Sequence, residues 1–289
     1  MVLESIIKPA KMEKHPSEMF LVGLMYSTLG LFLAFYIFPD NASLAAVFIT
    51  TIPLIVVMIN TVKYEETKDM NIHEETFLIK EHGKALSMLF YLFMGMVLSY
   101  SFWFTVLPVD YVSSLFDYQK GIIDYIQGLE DSSSAAVGNY IKGMASFERI
   151  ITNNIVVLFF CILFSFLYGA GAIFILTLNA SIIGVAVGSH VRDYIGATVF
   201  NSSSQFLYGY FNCSLSATFC YMFHGVFEIS SYIVGALAGG IISVAVVNHD
   251  FRTKEFWHIV IDSSDMIIMS LILLLLGAFT EAFLTPMIC

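Results

Sequence analysis

Residues 153–190 read NNIVVLFFCILFSFLYGAGAIFILTLNASIIGVAVGSH, an almost unbroken apolar stretch. A single helix of that length would run about 55 Å at 1.5 Å per residue, too long for a bilayer core of about 30 Å. Gly169-Ala170-Gly171 supplies a break, because glycine permits a tight turn. The stretch is therefore read as a helical hairpin of two spans, 153–168 and 172–190. Working outward, further apolar segments of spanning length fall at 19–38, 42–62, 85–107, 216–247 and 264–285. The expected fold is all-α, a polytopic transmembrane bundle of about seven spans.

Composition agrees. Of 289 residues, 58% are hydrophobic and 12% charged, about half the charged share of a soluble domain, and the mean hydropathy is +0.80. These values exclude a disordered chain, a disulfide-stapled mini-domain and an ordinary soluble enzyme. The net charge of −10 argues against a nucleic-acid partner, which needs clustered cations. The lipid bilayer is the first partner. Cys161, Cys213, Cys220 and Cys289 show no CxxC spacing, so no zinc or redox motif is read. HExxH and GxSxG are absent as well, and no catalytic residue, metal motif or cofactor is assigned.

Charge sets an expected topology. With an inner amino terminus, the inner segments 1–18, 63–84, 169–171 and 248–263 hold Lys8, Lys11, Lys14, Lys63, Lys68, Lys80, Lys84, Arg252 and Lys254. The outer segments hold Lys120, Lys142, Arg149 and Arg192, which satisfies the positive-inside rule. Merging 153–190 into one span would weaken that bias. The apolar run after residue 18 exceeds a secretory h-region and is read as a retained span. The amino terminus is thus expected inside a cell membrane and the carboxyl terminus outside. Asn-X-Ser triplets at Asn41, Asn201 and Asn212 fall outside in this scheme, while a fourth, at Asn179, lies inside a span; whether they carry glycans stays open. Cys213 and Cys289 are also both expected on that side, so a disulfide is conceivable.

The chain divides into an inner amphipathic segment 1–18, three spans over 19–107 with an inner loop 63–84, an excursion 108–152 and a core 153–289. In the excursion, Tyr111, Leu115, Tyr118, Ile122, Tyr125, Ile126 and Leu129 recur at helical spacing, and Asp131-Ser132-Ser133-Ser134 reads as a turn. An amphipathic helix on the outer face follows: an interfacial helix, a partner-docking surface or a packed lid. The inner loop, with Glu65, Glu66, Glu74, Glu75 and Glu81 among lysines, reads as a solvated helix or turn. Asn153 and Asn154 are expected to cap the fourth helix, and Pro53 to kink the second. Gly184/Gly188 and Gly235/Gly239 form GxxxG patterns that let backbones approach, within the chain or in a homo-oligomer.

Ionisable residues within apolar spans carry the most information, because a charge near the bilayer centre costs at least about 2.5–3.5 kcal/mol. His224 and Glu228 lie four apart on one helix face, and Glu281 sits near the end of the last span at a similar depth. Three readings compete: a structural hydrogen-bond cluster, a proton or cation pathway, and a metal or catalytic centre.

Asn153-Asn154 opening a span, the glycine-broken hairpin to Asn179, His224-Gly225-x-x-Glu228 with small residues after it, and Ala278-Phe279-Thr280-Glu281-Ala282-Phe283 before Pro286 resemble the stage II sporulation protein M family. The resemblance covers roughly 150–286; Glu13-Lys14-x-Pro16 and the acidic loop are similar to archaeal-type members. It implies an integral membrane protein and adds Asn153, Asn154, Asn179 and Gly225 as supporting residues of the cluster. In sporulating bacteria, such a protein looks like a scaffold for peptidoglycan-remodelling partners. The functional expectation is a non-enzymatic membrane scaffold or assembly protein that recruits protein partners through its outer region. The alternative is a transporter or channel for protons, ions or a small solute that uses His224, Glu228 and Glu281.

Overall fold

The computed structural model describes residues 9–71, 75–133, 139–166, 170–200, 202–248 and 253–288. Gly169, Glu74, Ser134, Asn201, Arg252 and Cys289, all used in the sequence reading, lie outside the described residues. The helices are α1 (Pro9–Met12), α2 (Ser17–Ile37), α3 (Ala42–Asn71), α4 (Glu75–Val106), α5 (Val109–Leu115), α6 (Asp117–Ser133), α7 (Asn139–Ser165), α8 (Ala170–Ala197), α9 (Ser203–Asn248) and α10 (Lys254–Phe279). A π-helical turn over Thr280–Leu284 and the short α11 (Thr285–Ile288) close the chain. No strand occurs among the described residues. Seven helices are long and apolar enough to cross a membrane, as the sequence reading expects. The protein is a multi-pass membrane protein.

The helices overrun the apolar segments that reveal them. α3 continues to Asn71, α4 starts at Glu75, α7 starts at Asn139 and α9 starts at Ser203. Hydropathy marks only the part of a helix that needs lipid; backbone hydrogen bonding carries the helix on into polar sequence. Two local expectations therefore fail. Asp131, Ser132 and Ser133 belong to α6 rather than to a turn, and Asn153 and Asn154 lie in the middle of α7 rather than at its cap. Pro53 lies inside α3.

Close backbone contact holds the bundle together. A Cβ added to Gly23 would strike the Leu92 carbonyl, and one added to Gly95 would strike the Phe20 carbonyl, so α2 and α4 meet main chain to main chain. Thr28 and Ser99 share a hydrogen bond of 2.9 Å across this seam. The GxxxG patterns serve the same purpose within the chain. Gly184 and Gly188 face Val97, Tyr100, Ser101 and Phe104 of α4, while Gly235 and Gly239 face Leu158, Ile162 and Ser165 of α7. Thr50, Thr51 and Thr61 donate their hydroxyls to carbonyls four residues back, so these buried side chains leave no unpaired donor.

The two ends of the bundle differ. At one, the charged end, α3 finishes beside the start of α4. At the other, the hairpin end, α8 and α9 turn back on each other. Gly240 of α9 packs against Val62 of α3. Counting back from that level at 1.5 Å per residue, Glu228 lies about 18 Å and His224 about 24 Å toward the hairpin end. α9 spans 46 residues, about 69 Å and more than twice a bilayer core. Its first four turns therefore reach past the level where α3 begins. Val187 and Val191 of α8 pack there on Cys213 and Ala217 of α9.

The excursion after α4 folds over the hairpin end. Gln119, buried at the start of α6, accepts from Ser43 at 2.6 Å and donates to Ser181 at 3.1 Å. Phe116 is fully buried. The first turn of α6 is thus a packed lid over α3 and α8, whereas Tyr125 farther along is 69% exposed. Cys213 is a free, buried thiol, so the disulfide conceived for it does not form; Cys220 is the disulfide-bonded residue.

The glycine seam generates a test. Gly95→Leu inserts a side chain where a backbone carbonyl already sits, and overpacking of this kind costs about 1–3 kcal/mol. Its thermal unfolding midpoint in detergent should fall clearly. Gly121→Ala, at a helical position with nothing within 4 Å, should leave the midpoint unchanged or raise it.

Candidate intramembrane polar site

His224, Glu228 and Glu281 converge. Each offers one nitrogen or oxygen that lies within 4.8 Å of those offered by the other two. The i,i+4 spacing puts His224 and Glu228 on one face of α9. Glu281 reaches them from the π-helical turn, whose hydrogen-bonding register is one residue wider than an α-helix. Thr285 holds this turn: its hydroxyl donates to the Thr280 carbonyl, five residues back, at 3.1 Å. The same hydroxyl lies 3.2 Å from His224 Nδ1.

α7 supplies the fourth group. Asn154, 7% exposed, donates from Nδ2 to Glu228 Oε1 at 2.5 Å, and Asn153 donates to Asn154 Oδ1 at 3.3 Å. Gly277 of α10 makes room, since a Cβ there would come within 2.7 Å of Glu228 Cγ. Among the described residues, neither carboxylate forms an ion pair with lysine or arginine. Two carboxylates this close repel one another unless a proton or a cation comes between them. Chemically, the arrangement can share a proton or hold a metal ion.

Of the supporting residues, Asn154 joins the site directly and Asn153 acts through it. Gly225 is buried one position after His224, with Met222 as its nearest neighbour. Asn179 does not join the site: its side chain donates to the Ile175 carbonyl of its own helix at 2.8 Å.

A second polar centre was not foreseen. The segment 63–84, expected to be solvated, buries Glu65, Glu66, Lys68, Asp69 and His82. Lys68 Nζ lies 2.7 Å from both Glu13 and Glu65. His82 sets Nδ1 at 2.7 Å from Glu65 and Nε2 at 3.0 Å from Asp69. Burial pushes the Glu13 carboxyl up to about 7, aided by the neighbouring Glu65 and opposed by Lys68. Nearby on α10, His258 pairs with Asp262 at 2.8 Å. The signal in the sequence was the mixing of signs over 63–84. That pattern reads as solvated when each helix is considered alone, and the covering residue Glu13 lies 52 positions before Glu65.

Seven helices of bilayer length define an integral membrane protein, and α7, α9 and the turn after α10 bring ionisable and amide side chains together between them. The family model described as Stage II sporulation protein M matches residues 45–286, and the chain belongs to that family. The match reaches well before residue 150, where the sequence resemblance begins. An uncharacterized protein of Methanocaldococcus jannaschii is 28% identical over 167 residues, 56% of this chain and 84% of that protein. No solved structure matches.

Lys68 is the cation that the buried acids of the charged end share, so removing it strands charge. Breaking a buried pair by deleting one partner costs about 3–5 kcal/mol. Lys68→Met should therefore lower the unfolding midpoint sharply, while Glu18→Gln on the exposed surface should leave it in place. Equal midpoints would mean that the acids are solvated after all.

Proposed function

We propose that this protein is a non-enzymatic membrane scaffold or assembly protein whose hairpin end recruits a protein partner. The observation that carries this reading is a ridge on the projecting part of α9. Leu207, Phe211, Leu215 and Phe219 follow one another at intervals of four, and all are exposed, Leu215 by 72%. The opposite face of the same helix packs on α8. An apolar row rimmed by polar residues, on a helix that has outrun the bilayer core, suits docking to another protein. Tyr118, Tyr125 and Ile126 of α6 add exposed apolar surface at the same end.

The proposed orientation puts the charged end and the amino terminus inside the cell and the hairpin end and carboxyl terminus outside. The lysine and arginine bias supports it, as do the exposed Asn41 and Asn212 at the hairpin end.

A second reading, transport of protons, ions or a small solute, draws on the convergence of His224, Glu228 and Glu281. One pair of measurements separates the two. With the triple variant Leu207→Ser, Phe211→Ser, Leu215→Ser, in-membrane crosslinking followed by purification should recover at least tenfold less partner, while the variant itself elutes as one symmetric peak. Unchanged recovery would count against the scaffold. In proteoliposomes, the unaltered protein should give a flat proton and cation flux; a flux abolished by Glu228→Gln would replace the scaffold with a transporter.

A further inference from the structure

We propose that His224, Glu228 and Glu281 form a binding site for one divalent transition-metal ion of the zinc class. The inference does not depend on the scaffold reading.

Charge comes first. The site contains two carboxylates and one imidazole, with no lysine or arginine paired to either acid among the described residues. A shared proton would leave one negative charge in the span region. A doubly charged cation cancels both carboxylates at once, which removes the like-charge repulsion that their separation otherwise imposes.

Donor chemistry comes second. The Thr285 hydroxyl gives its proton to the Thr280 carbonyl, so it meets His224 Nδ1 as an acceptor. Nδ1 therefore carries the ring proton, and Nε2 keeps the free lone pair that a metal needs. Metal-binding histidines are oriented in this way, through a hydrogen bond on the other ring nitrogen. Asn154 does the corresponding work for Glu228, holding one carboxylate oxygen from α7 at 2.5 Å. Each of these two ligands thus has a partner behind it. One nitrogen and two oxygens suit zinc or manganese better than calcium or magnesium, which take oxygen ligands.

Geometry comes third. Ligand atoms about 2.1 Å from a tetrahedral metal stand about 3.4 Å apart. The present separations, all within 4.8 Å, need a contraction that side-chain rotation can supply. The π-helical turn is the backbone device that brings Glu281 to α9, and such turns concentrate at functional sites. Three protein ligands leave a fourth position for water or an anionic ligand, the pattern of open rather than closed zinc sites. The bound ion would tie the carboxyl-terminal turn to α9 and, through Asn154, to α7.

The test uses the full chain purified in detergent, stripped with a chelator and dialysed against zinc. Elemental analysis should find about one zinc per chain. Glu281→Gln and His224→Asn should each lose at least nine-tenths of it while keeping the elution position of the unaltered protein. Cobalt in place of zinc should give visible absorption bands that His224→Asn abolishes. Asn154→Ala, which removes no ligand, should weaken zinc affinity about 10- to 100-fold in a chelator competition while leaving the stoichiometry intact at saturation. It carries the test if a ligand variant fails to fold. The site is overturned if the unaltered protein takes up no zinc, if Glu281→Gln and His224→Asn keep their zinc, or if Asn154→Ala binds as tightly as the unaltered chain. Partner recovery by the α9 ridge is a separate readout, so either proposal can fail alone.

Discussion

Acidic side chains placed within a bundle of apolar helices set the terms for the rest of this structure. A carboxylate removed from water must find a counter-charge, a proton or strong donors close by, or its helix will not stay where it is. The protein meets that demand in two different ways. At the charged end, the acids of α3 and the Glu13 segment surround Lys68 and His82, so opposite charges solvate one another. Toward the hairpin end, Glu228 and Glu281 have a histidine and an amide but, among the described residues, no paired lysine or arginine. The first arrangement is closed within the protein. The second is short of positive charge, and that shortage makes it the better candidate for a cation.

The centre toward the hairpin end requires helices that stand close, and the small residues supply this. Asn154 reaches Glu228 because Gly235 and Gly239 bring α9 against α7 about two to three turns away. Glu228 fits beside α10 because Gly277 carries no side chain. Glycine in a helix sacrifices about 1 kcal/mol relative to alanine. Here the loss is offset by contacts that a larger residue would prevent. The π turn has a similar logic: its wider register is less favourable locally, but it turns Glu281 to the same side as His224.

The class of fold was legible in the sequence because the bilayer imposes a length on apolar helices, so the one stretch that was too long had to divide, although Ala170 and Gly171 belong to α8 rather than to the break. The trio was legible for a related reason: an ionisable residue stands out against an apolar background, and i,i+4 spacing fixes a shared face. What stayed hidden depends on contacts between distant segments. Asn154 looked like a cap because asparagine favours helix starts; only packing of α7 on α9 reveals it as the donor to Glu228. Glu65 and Asp69 looked solvated because helical charge runs usually are, and their burial depends on α1, α4 and α10 closing around them. The start of α9, residues 203–215, lies outside the apolar span in the sequence because Gly209, Asn212 and several serines interrupt its hydropathy, whereas packing against α8 sustains a continuous helix.

Under the scaffold proposal, the ridge at the start of α9 constrains what would dock there. Leu207, Phe211, Leu215 and Phe219 form a single i±4 row, and such a row is inclined by about 26° to the helix axis. A second helix that packs its own i±4 row into the neighbouring groove crosses at about −50°. A helix that offers its i±3 row instead crosses at about +20°, closer to parallel. The large side chains also set the spacing: leucine and phenylalanine hold helix axes toward the wider end of the 8–10 Å range, unlike the glycine seam between α2 and α4. If the scaffold proposal holds, a helical partner seated on this row would cross α9 at one of these two angles, with the bulk of leucine and phenylalanine setting the axes far apart.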